Sequence, residues 1–347
     1  MLAEEIGFVV GVDTHADHHA VVVVDAVTQR ARRALTIAAT RRGYRQALRL
    51  ADRLAPGDRV WALEGSGSYG SGLARFLSER GERVLEVERP AREGPRSRFK
   101  SDPLDAEQAA RQVLAGEAGA LPRLSGDTQA LRVLVSTREG AVNACTAALN
   151  ELRALIITSP PELRERLQGL TETRLLNACV RLRPGADSER AALALALRSL
   201  AQRVRLLRTE SQTLERELER RVQTLAPQLL ARPGIGPISA AAVLIAWSQP
   251  RRIRSEAAFA RLAGAAPIPA SSGKTIRYRL DRGGDRQLNR ALHTIILSRR
   301  RTDNETKAYI ARRLGEGKTQ REATRCLKRY LARSLYRLLE HGAPLAT

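Results

Sequence analysis

Four carboxylates carry the chemistry open to this sequence. Asp13 ends the apolar run Phe8–Val12, Glu64 ends a second run, Arg59–Leu63, and Asp102 and Asp105 stand three residues apart at the expected start of a helix. Short apolar runs that finish in an acid read as strands delivering carboxylates to one edge of a sheet. Hard oxygen donors gathered there suit Mg²⁺, and divalent ions so held clamp the entering and leaving oxygens of a phosphodiester. Taken singly, each acid also has a structural reading. Asp102-Pro103-Leu104-Asp105 is a well-made helix start, with Asp at the N-cap, Pro at N1 and an acid at N3, and Glu64 reads equally as a solvated strand end. As a set, at two strand ends and one helix turn, the acids favour the metal site, and a capping acid can also present a ligand.

Three other groups invite chemistry. Gly234-Ile235-Gly236, between apolar helical stretches, has the Gly-hydrophobic-Gly form of a helix-hairpin-helix, whose exposed backbone N–H groups at a helix start hold a DNA phosphate without reading sequence. A plain tight turn between packed helices fits the same residues. Gly273-Lys274-Thr275 suggests a phosphate-binding P-loop, but Ile268 stands where that motif needs glycine, so the reading fails. A serine in this loop, ringed by Lys274, Arg277 and Arg279, could act as a nucleophile; composition alone favours a polar loop touching phosphates. His15, His18 and His19 cluster beside Asp13, but alternation along a strand is expected to split them between faces, which argues against a transition-metal site.

The whole chain favours a polyanionic partner. Its 347 residues include 59 Lys+Arg against 37 Asp+Glu, for a formal net charge of +22 and a pI near 11.2. Coding bias explains why nearly all the bases are arginine, not why bases exceed acids, so nucleic acid is the expected partner. Three scattered cysteines without a C-x-x-C pair argue against a disulfide framework or a structural zinc site. No apolar stretch reaches membrane-spanning length and the first residues do not resemble a signal peptide, so a soluble, cytoplasmic protein is expected.

The elements that must position these groups follow from periodicity. Strands are expected at 6–13, 18–25, 31–38, 59–64 and 83–87, with helices at 41–54 and 69–80. Three consecutive strands followed by alternating helix and strand is the order of a ribonuclease-H-like sheet: a meander first, then strands reached by helical crossovers. A basic linker over 89–101 precedes a helix from Asp102. Residues 127–225 read as almost wholly helical, with Leu193, Leu200, Leu207 and Leu214 every seven residues and Leu197, Val204 and Leu218 in the matching positions. That is a coiled-coil seam, with the helix through Leu131, Val135, Val142, Leu149 and Leu152 as a partner within one chain or between chains. The last third is basic: residues 276–340 hold 18 Lys+Arg against 7 Asp+Glu, half the surplus of the chain. Helices are expected there at 285–300, 303–314 and 319–341. The expected architecture is an α/β ribonuclease-H-like (RuvC-like) domain over 1–125, an α-helical coiled-coil arm over 126–226, and a mainly α domain with a helix-hairpin-helix over 227–347.

Five motifs in this order carry a resemblance: Gly11-Val12-Asp13-Thr14-His15; Leu63-Glu64; Lys100-Ser101-Asp102-Pro103-Leu104-Asp105-Ala106; the Pro233–Gly236 hairpin; and Ser271-Ser272-Gly273 followed by Arg282–Arg290. The sequence resembles the DEDD-type insertion-sequence transposases, the insertion-sequence family numbered one hundred and ten, along essentially its whole length. The resemblance implies a transposase, a DNA recombinase that excises and inserts a mobile element by phosphodiester transesterification. It makes Asp13, Glu64, Asp102 and Asp105 the Mg²⁺-binding tetrad and Ser272 the residue joined covalently to DNA, with Ser271 a less favoured candidate. It further implies a homo-oligomer, dimer or tetramer, acting on element ends and target DNA paired by a structured guide RNA. Gly234, Gly236, Lys274, Arg277, Arg279, Arg286 and Arg290 are the residues expected to touch nucleic acid. Ala16 departs from the pattern, since a lysine often follows the histidine of the first motif. The nearest rival is a RuvC-like junction resolvase using water instead of serine; the next is a non-catalytic nucleic-acid-binding scaffold.

Overall fold

Burial on both faces decides which strands lie inside the sheet. β1 (Phe8–Thr14) and β2 (His18–Asp25) are buried along nearly their whole length, whereas β3 (Ala31–Ala38) is mostly exposed and takes an edge. With β4 (Arg59–Glu64) and β5 (Arg83–Val87) they form a mixed five-stranded sheet in the order β3-β2-β1-β4-β5. β1 and β3 each pair antiparallel with β2, while β1–β4 and β4–β5 are parallel. This is the α/β arrangement the element order predicts. The computed structural model describes residues 6–87, 101–116, 121–122, 126–184, 187–269, 278–279 and 283–341, with only the backbone described at 269, 278 and 279.

Strand alternation sends two sets of side chains to two covers. Val10, Val12, Val21, Val23, Trp61 and Leu63 pack with α1 (Arg41–Leu54) and α2 (Ser71–Ser78). Val9, Val22, Val24, Val60 and Ala62 pack with Ala106, Ala109, Ala110 and Val113 of α3 (Asp102–Leu114). Each buried valine or leucine among these stabilises the fold by about 1.5–3 kcal/mol. The alanines of α3 let it lie almost on the sheet backbone. A Cβ added at Gly11 would sit 1.9 Å from the Ala106 carbonyl oxygen, so glycine is required there by close approach. The N-cap of α3 is Ser101, not Asp102 as expected, and its side chain makes no capping bond. Asp102 lies inside the first turn because its carboxylate is engaged elsewhere, by His18.

The chain divides into two compact units, Met1–Ser125 with Ser248–Arg254, and Gly126–Trp247 with Ser255–Thr347. In the first, the return segment is held by Arg252, whose guanidinium donates to Glu86 at 3.2 Å. The second is helical. Its two long helices, α4 (Asp127–Thr158) and α7 (Ser188–Leu225), pack along each other, with α5 (Pro161–Leu167) and α6 (Glu172–Val180) against them. The apolar stripe of α7 thus meets α4 of the same chain. Leu197, Leu200, Val204 and Leu218 are buried in it, while Leu193, Leu207 and Leu214 are only half-buried and Val142 is exposed.

Shorter helices follow: α8 (Pro227–Leu230), α9 (Pro237–Trp247) and α10 (Glu256–Leu262). A two-residue ribbon, β6 (Ile268–Pro269) with β7 (Tyr278–Arg279), precedes α11 (Arg286–Thr302), α12 (Asn304–Gly315) and α13 (Gln320–His341). α9 is buried from Ser239 to Trp247, as an apolar helix at the centre of a bundle must be. Trp247 satisfies its indole N–H on Glu340 of α13 at 2.8 Å. Nearby, Glu256 accepts from Arg333 and Arg337, and these guanidinium groups, Arg337 first, hold its carboxyl down to about 2. A depressed carboxylate pKa stabilises the folded state above the unfolded value near 4.5, and that contribution fades as pH falls from there toward 2. Glu256→Gln is accordingly expected to lower stability at pH 7 but leave it nearly unchanged at pH 2, measured by urea unfolding across that range.

Candidate active site

The parity that builds the sheet also builds the site. Val9, Gly11 and Asp13 share the α3 face of β1, Val60, Ala62 and Glu64 share it on β4, and His18, Ala20 and Val22 share it on β2. β1 and β4 run parallel with Val12 opposite Leu63, so Asp13 and Glu64 leave neighbouring strands at the same, carboxyl, end. The Thr14 hydroxyl donates to the Glu64 carbonyl oxygen at 2.8 Å and ties these ends together. Because α3 crosses β1 with Ala106 over Gly11, its first turn, carrying Asp102 and Asp105, reaches the same edge. The amino-terminal end of a helix favours negative charge there.

Asp13 is 2% exposed, and its Oδ2 lies 3.1 Å from His15 Nε2. His15 Nε2 also approaches Asp102 Oδ1 at 3.5 Å, and His18 Nε2 approaches Asp102 Oδ2 at 3.2 Å. The two imidazoles stack with ring centroids 4.9 Å apart. The His18 hydrogen bond, and then the charges of His15 and His18, hold the Asp102 carboxyl below the usual carboxylate range. Among the described residues, His15, His18 and Asp102 are the trio of potential ligands whose donor atoms all lie within 4.8 Å of one another. Glu64 and Asp105 are half-buried at the same edge but outside that trio. The carboxylates of β1, β4 and α3 are the hard oxygen donors that Mg²⁺ prefers, so the donor chemistry fits that ion.

Strand alternation is expected to split the three histidines between faces, but His15 and His18 lie together beside Asp102. Alternation does separate His19, which turns to the opposite face, is fully buried and stacks on Tyr44 at 5.9 Å; burial pushes its pKa down. His18, however, is one residue out of phase with it and faces α3. His15 lies beyond the end of β1 in the turn to β2, where its N–H donates to the His18 carbonyl at 3.0 Å. Residues in a turn escape strand alternation, and that was the signal available.

The other candidates lie in the helical unit. Ser271, Ser272, Lys274 and Arg277 lie outside the described residues, and Arg279 is described only as backbone in β7. Gly234 has φ +74°, and a Cβ there would press on Arg299 and the Ile295 carbonyl at 3.0 Å. Arg299 donates to the Pro233 carbonyl at 2.8 Å, so the Pro233–Gly236 turn is pinned to α11; Gly236 faces open space. In the Arg282–Arg290 motif, several residues have architectural roles. Asp285 caps α11 by accepting from the N–H groups of Gln287 and Leu288, both at 2.9 Å. Asn289 donates to the Ala263 carbonyl and accepts from Lys328. Arg286 is exposed, whereas Arg290 pairs with Glu139 of α4 at 2.7 Å, a partner that sequence reading did not foresee. Among the described residues, no helix is long and apolar enough to cross a membrane.

Residues 10–159, which contain all four acids and both site histidines, match a DEDD transposase family of the IS110 type, and residues 226–311, which contain the hairpin and the serine loop, match the family described as Transposase IS116/IS110/IS902. The chain is similar to the insertion element IS110 uncharacterized 43.6 kDa protein of Streptomyces coelicolor, 30% identical over 42% of this chain and 36% of that protein. It is also similar to a protein of Pseudomonas aeruginosa named as a probable family 20 transposase, 30% identical over 56% of this chain and 57% of that one. The matched region thus spans between about a third and somewhat over half the length of these relatives. The two family matches occur in chain order and together take in about two thirds of the sequence, and the chain belongs to the DEDD transposases of the IS116/IS110/IS902 family.

Proposed function

We propose that this protein is a site-specific DNA recombinase that excises and inserts a mobile element through a covalent serine intermediate. The observation that carries the reading is the convergence of β1, β4 and α3, which brings Asp13, Glu64, Asp102 and Asp105 to one end of the sheet in a chain of net charge +22. These four residues would hold Mg²⁺, which when bound neutralises charge on a scissile phosphate and favours loss of a proton from an attacking hydroxyl. In the proposed reaction Ser272 Oγ forms a bond to phosphorus while the bond to a DNA hydroxyl oxygen breaks. The serine proton leaves and the departing DNA oxygen gains one. A second DNA hydroxyl then attacks the phosphoserine, reforms a DNA phosphodiester and returns the serine hydroxyl. No ester is lost overall, so no external energy source is needed.

Ser272 and Asp102 are 170 residues apart in the sequence, so the proposal requires a composite centre, completed within one subunit or between subunits of a dimer or tetramer. The Gly234–Gly236 turn, with Arg286, Lys274, Arg277 and Arg279, would hold DNA backbone, and Arg290 would do so after exchanging Glu139 for phosphate. A structured RNA from the element would select the target. A non-coding flank of the gene with short matches to both the element ends and the insertion site is the expected signature of that guide.

The test is capture of a protein–DNA adduct on denaturing gels, with Mg²⁺ and duplexes carrying the element ends. Wild type and Ser271→Ala are expected to form the adduct and Ser272→Ala to lose it by at least about a hundredfold, as for loss of a nucleophile. An adduct retained by Ser272→Ala ends the serine assignment. Cleavage that persists without any adduct favours the water-using nuclease instead.

A further inference from the structure

We infer that His15, His18 and Asp102 form a binding site for a borderline transition ion, Co²⁺ or Zn²⁺, at the edge of the acidic set. The inference gives that edge an ion preference and rests on the proposed function only through Asp102, which both assignments use. Three observations carry it. First, the imidazoles present the same atom, Nε2, to one carboxylate, at 3.5 and 3.2 Å, and all three donor atoms lie within 4.8 Å. Ligands about 2.1 Å from a tetrahedral ion stand about 3.4 Å from one another, so the two imidazole–carboxylate distances already match such a shell, and the trio as a whole needs to close by no more than about 1.4 Å around an ion. Second, His15 Nε2 lies between two carboxylates, 3.1 Å from Asp13 and 3.5 Å from Asp102. A single N–H can be aligned with only one of them, whereas a cation amid the group answers every donor at once. Third, the side chains of His15, His18 and Asp102 are 39%, 44% and 44% exposed. An ion can reach them from solvent without the fold opening.

The donor set also determines the kind of ion. Two imidazole nitrogens and a carboxylate suit Zn²⁺ and Co²⁺, while Mg²⁺ favours oxygen donors and keeps much of its water. His19 contributes nothing, because it lies on the opposite face of the sheet. Asp13 would act as a fourth donor or hold His15 in place through the 3.1 Å contact.

The experiment titrates the metal-free 347-residue chain with Co²⁺ alone and follows the visible d–d band and the paramagnetically shifted imidazole N–H resonances in proton NMR. Wild type is expected to bind one Co²⁺ with two shifted imidazole N–H signals. His15→Ala and His18→Ala should each weaken Co²⁺ at least tenfold, the scale on which even supporting groups tune metal affinity, and each should remove one signal. Absence of shifted imidazole signals in the wild type, or equal Co²⁺ affinity in the His15→Ala/His18→Ala double variant, overturns the inference. Circular dichroism of each variant shows that the fold persists, and the wild-type NMR readout decides the matter even where a variant does not fold. Mg²⁺-dependent adduct formation is scored separately in the wild type. Co²⁺ bound through imidazole without adduct formation would count against the recombinase reading alone, and adduct formation without imidazole ligation against this site alone.

Discussion

Asp13→Asn is expected to abolish DNA strand cleavage while leaving the protein folded and its DNA affinity intact. The carboxylate is 2% exposed at the end of a central strand, and asparagine keeps its shape while removing the charge. A divalent ion in such a site supplies several kcal/mol of transition-state charge stabilisation, and each 1.36 kcal/mol is a factor of ten in rate. Loss of a principal ligand should therefore slow single-turnover cleavage on the order of 10³-fold. DNA binding, measured by fluorescence anisotropy in the absence of metal, should hold or tighten slightly because one negative charge is gone. A cleavage rate within about tenfold of wild type would remove Asp13 from the catalytic set, and cleavage that no acid substitution affects would leave a nucleic-acid scaffold as the better description.

Gly11→Ala should be the most damaging single methyl in the amino-terminal unit. The added Cβ would meet the Ala106 carbonyl oxygen at 1.9 Å, its carbon at 2.9 Å and the Ala110 Cβ at 3.0 Å. Two of these atoms are backbone in the middle of α3, so no side-chain rotation relieves the clash and the helix itself must lift. Overpacking a core usually costs about 1–3 kcal/mol, occasionally more, and a rigid backbone contact places this case at about 3 kcal/mol or above. Since α3 carries Asp102 and Asp105, lifting it also displaces half of the acidic set. Gly7→Ala, whose Cβ would make only an ordinary 3.6 Å contact with the Asp58 carbonyl, should change stability by no more than about 0.5 kcal/mol. Urea midpoints of the two variants make the comparison, and a Gly11→Ala protein within 1 kcal/mol of wild type would mean that α3 does not lie where the structure places it.

What a short window of residues encodes, the sequence determined unaided. The short continuous apolar runs ending at Asp13 and Glu64 specify strands that end in acids. The heptads of α7 specify a long helix with one apolar stripe. Each of these depends on neighbours within a few positions, where period and propensity act directly. Tertiary structure decided the meetings between distant segments. His18 reaches Asp102 across 84 residues, and Arg290 reaches Glu139 across 151. The stripe on α7 finds α4 of the same chain, a choice its own pattern left open. Asp102 is drawn from capping its helix to bonding an imidazole, and Gly11 is compelled by a helix that begins some ninety residues later. Such contacts are set by how crossover helices dock on the sheet and by which backbone can approach which, and no local period records that geometry.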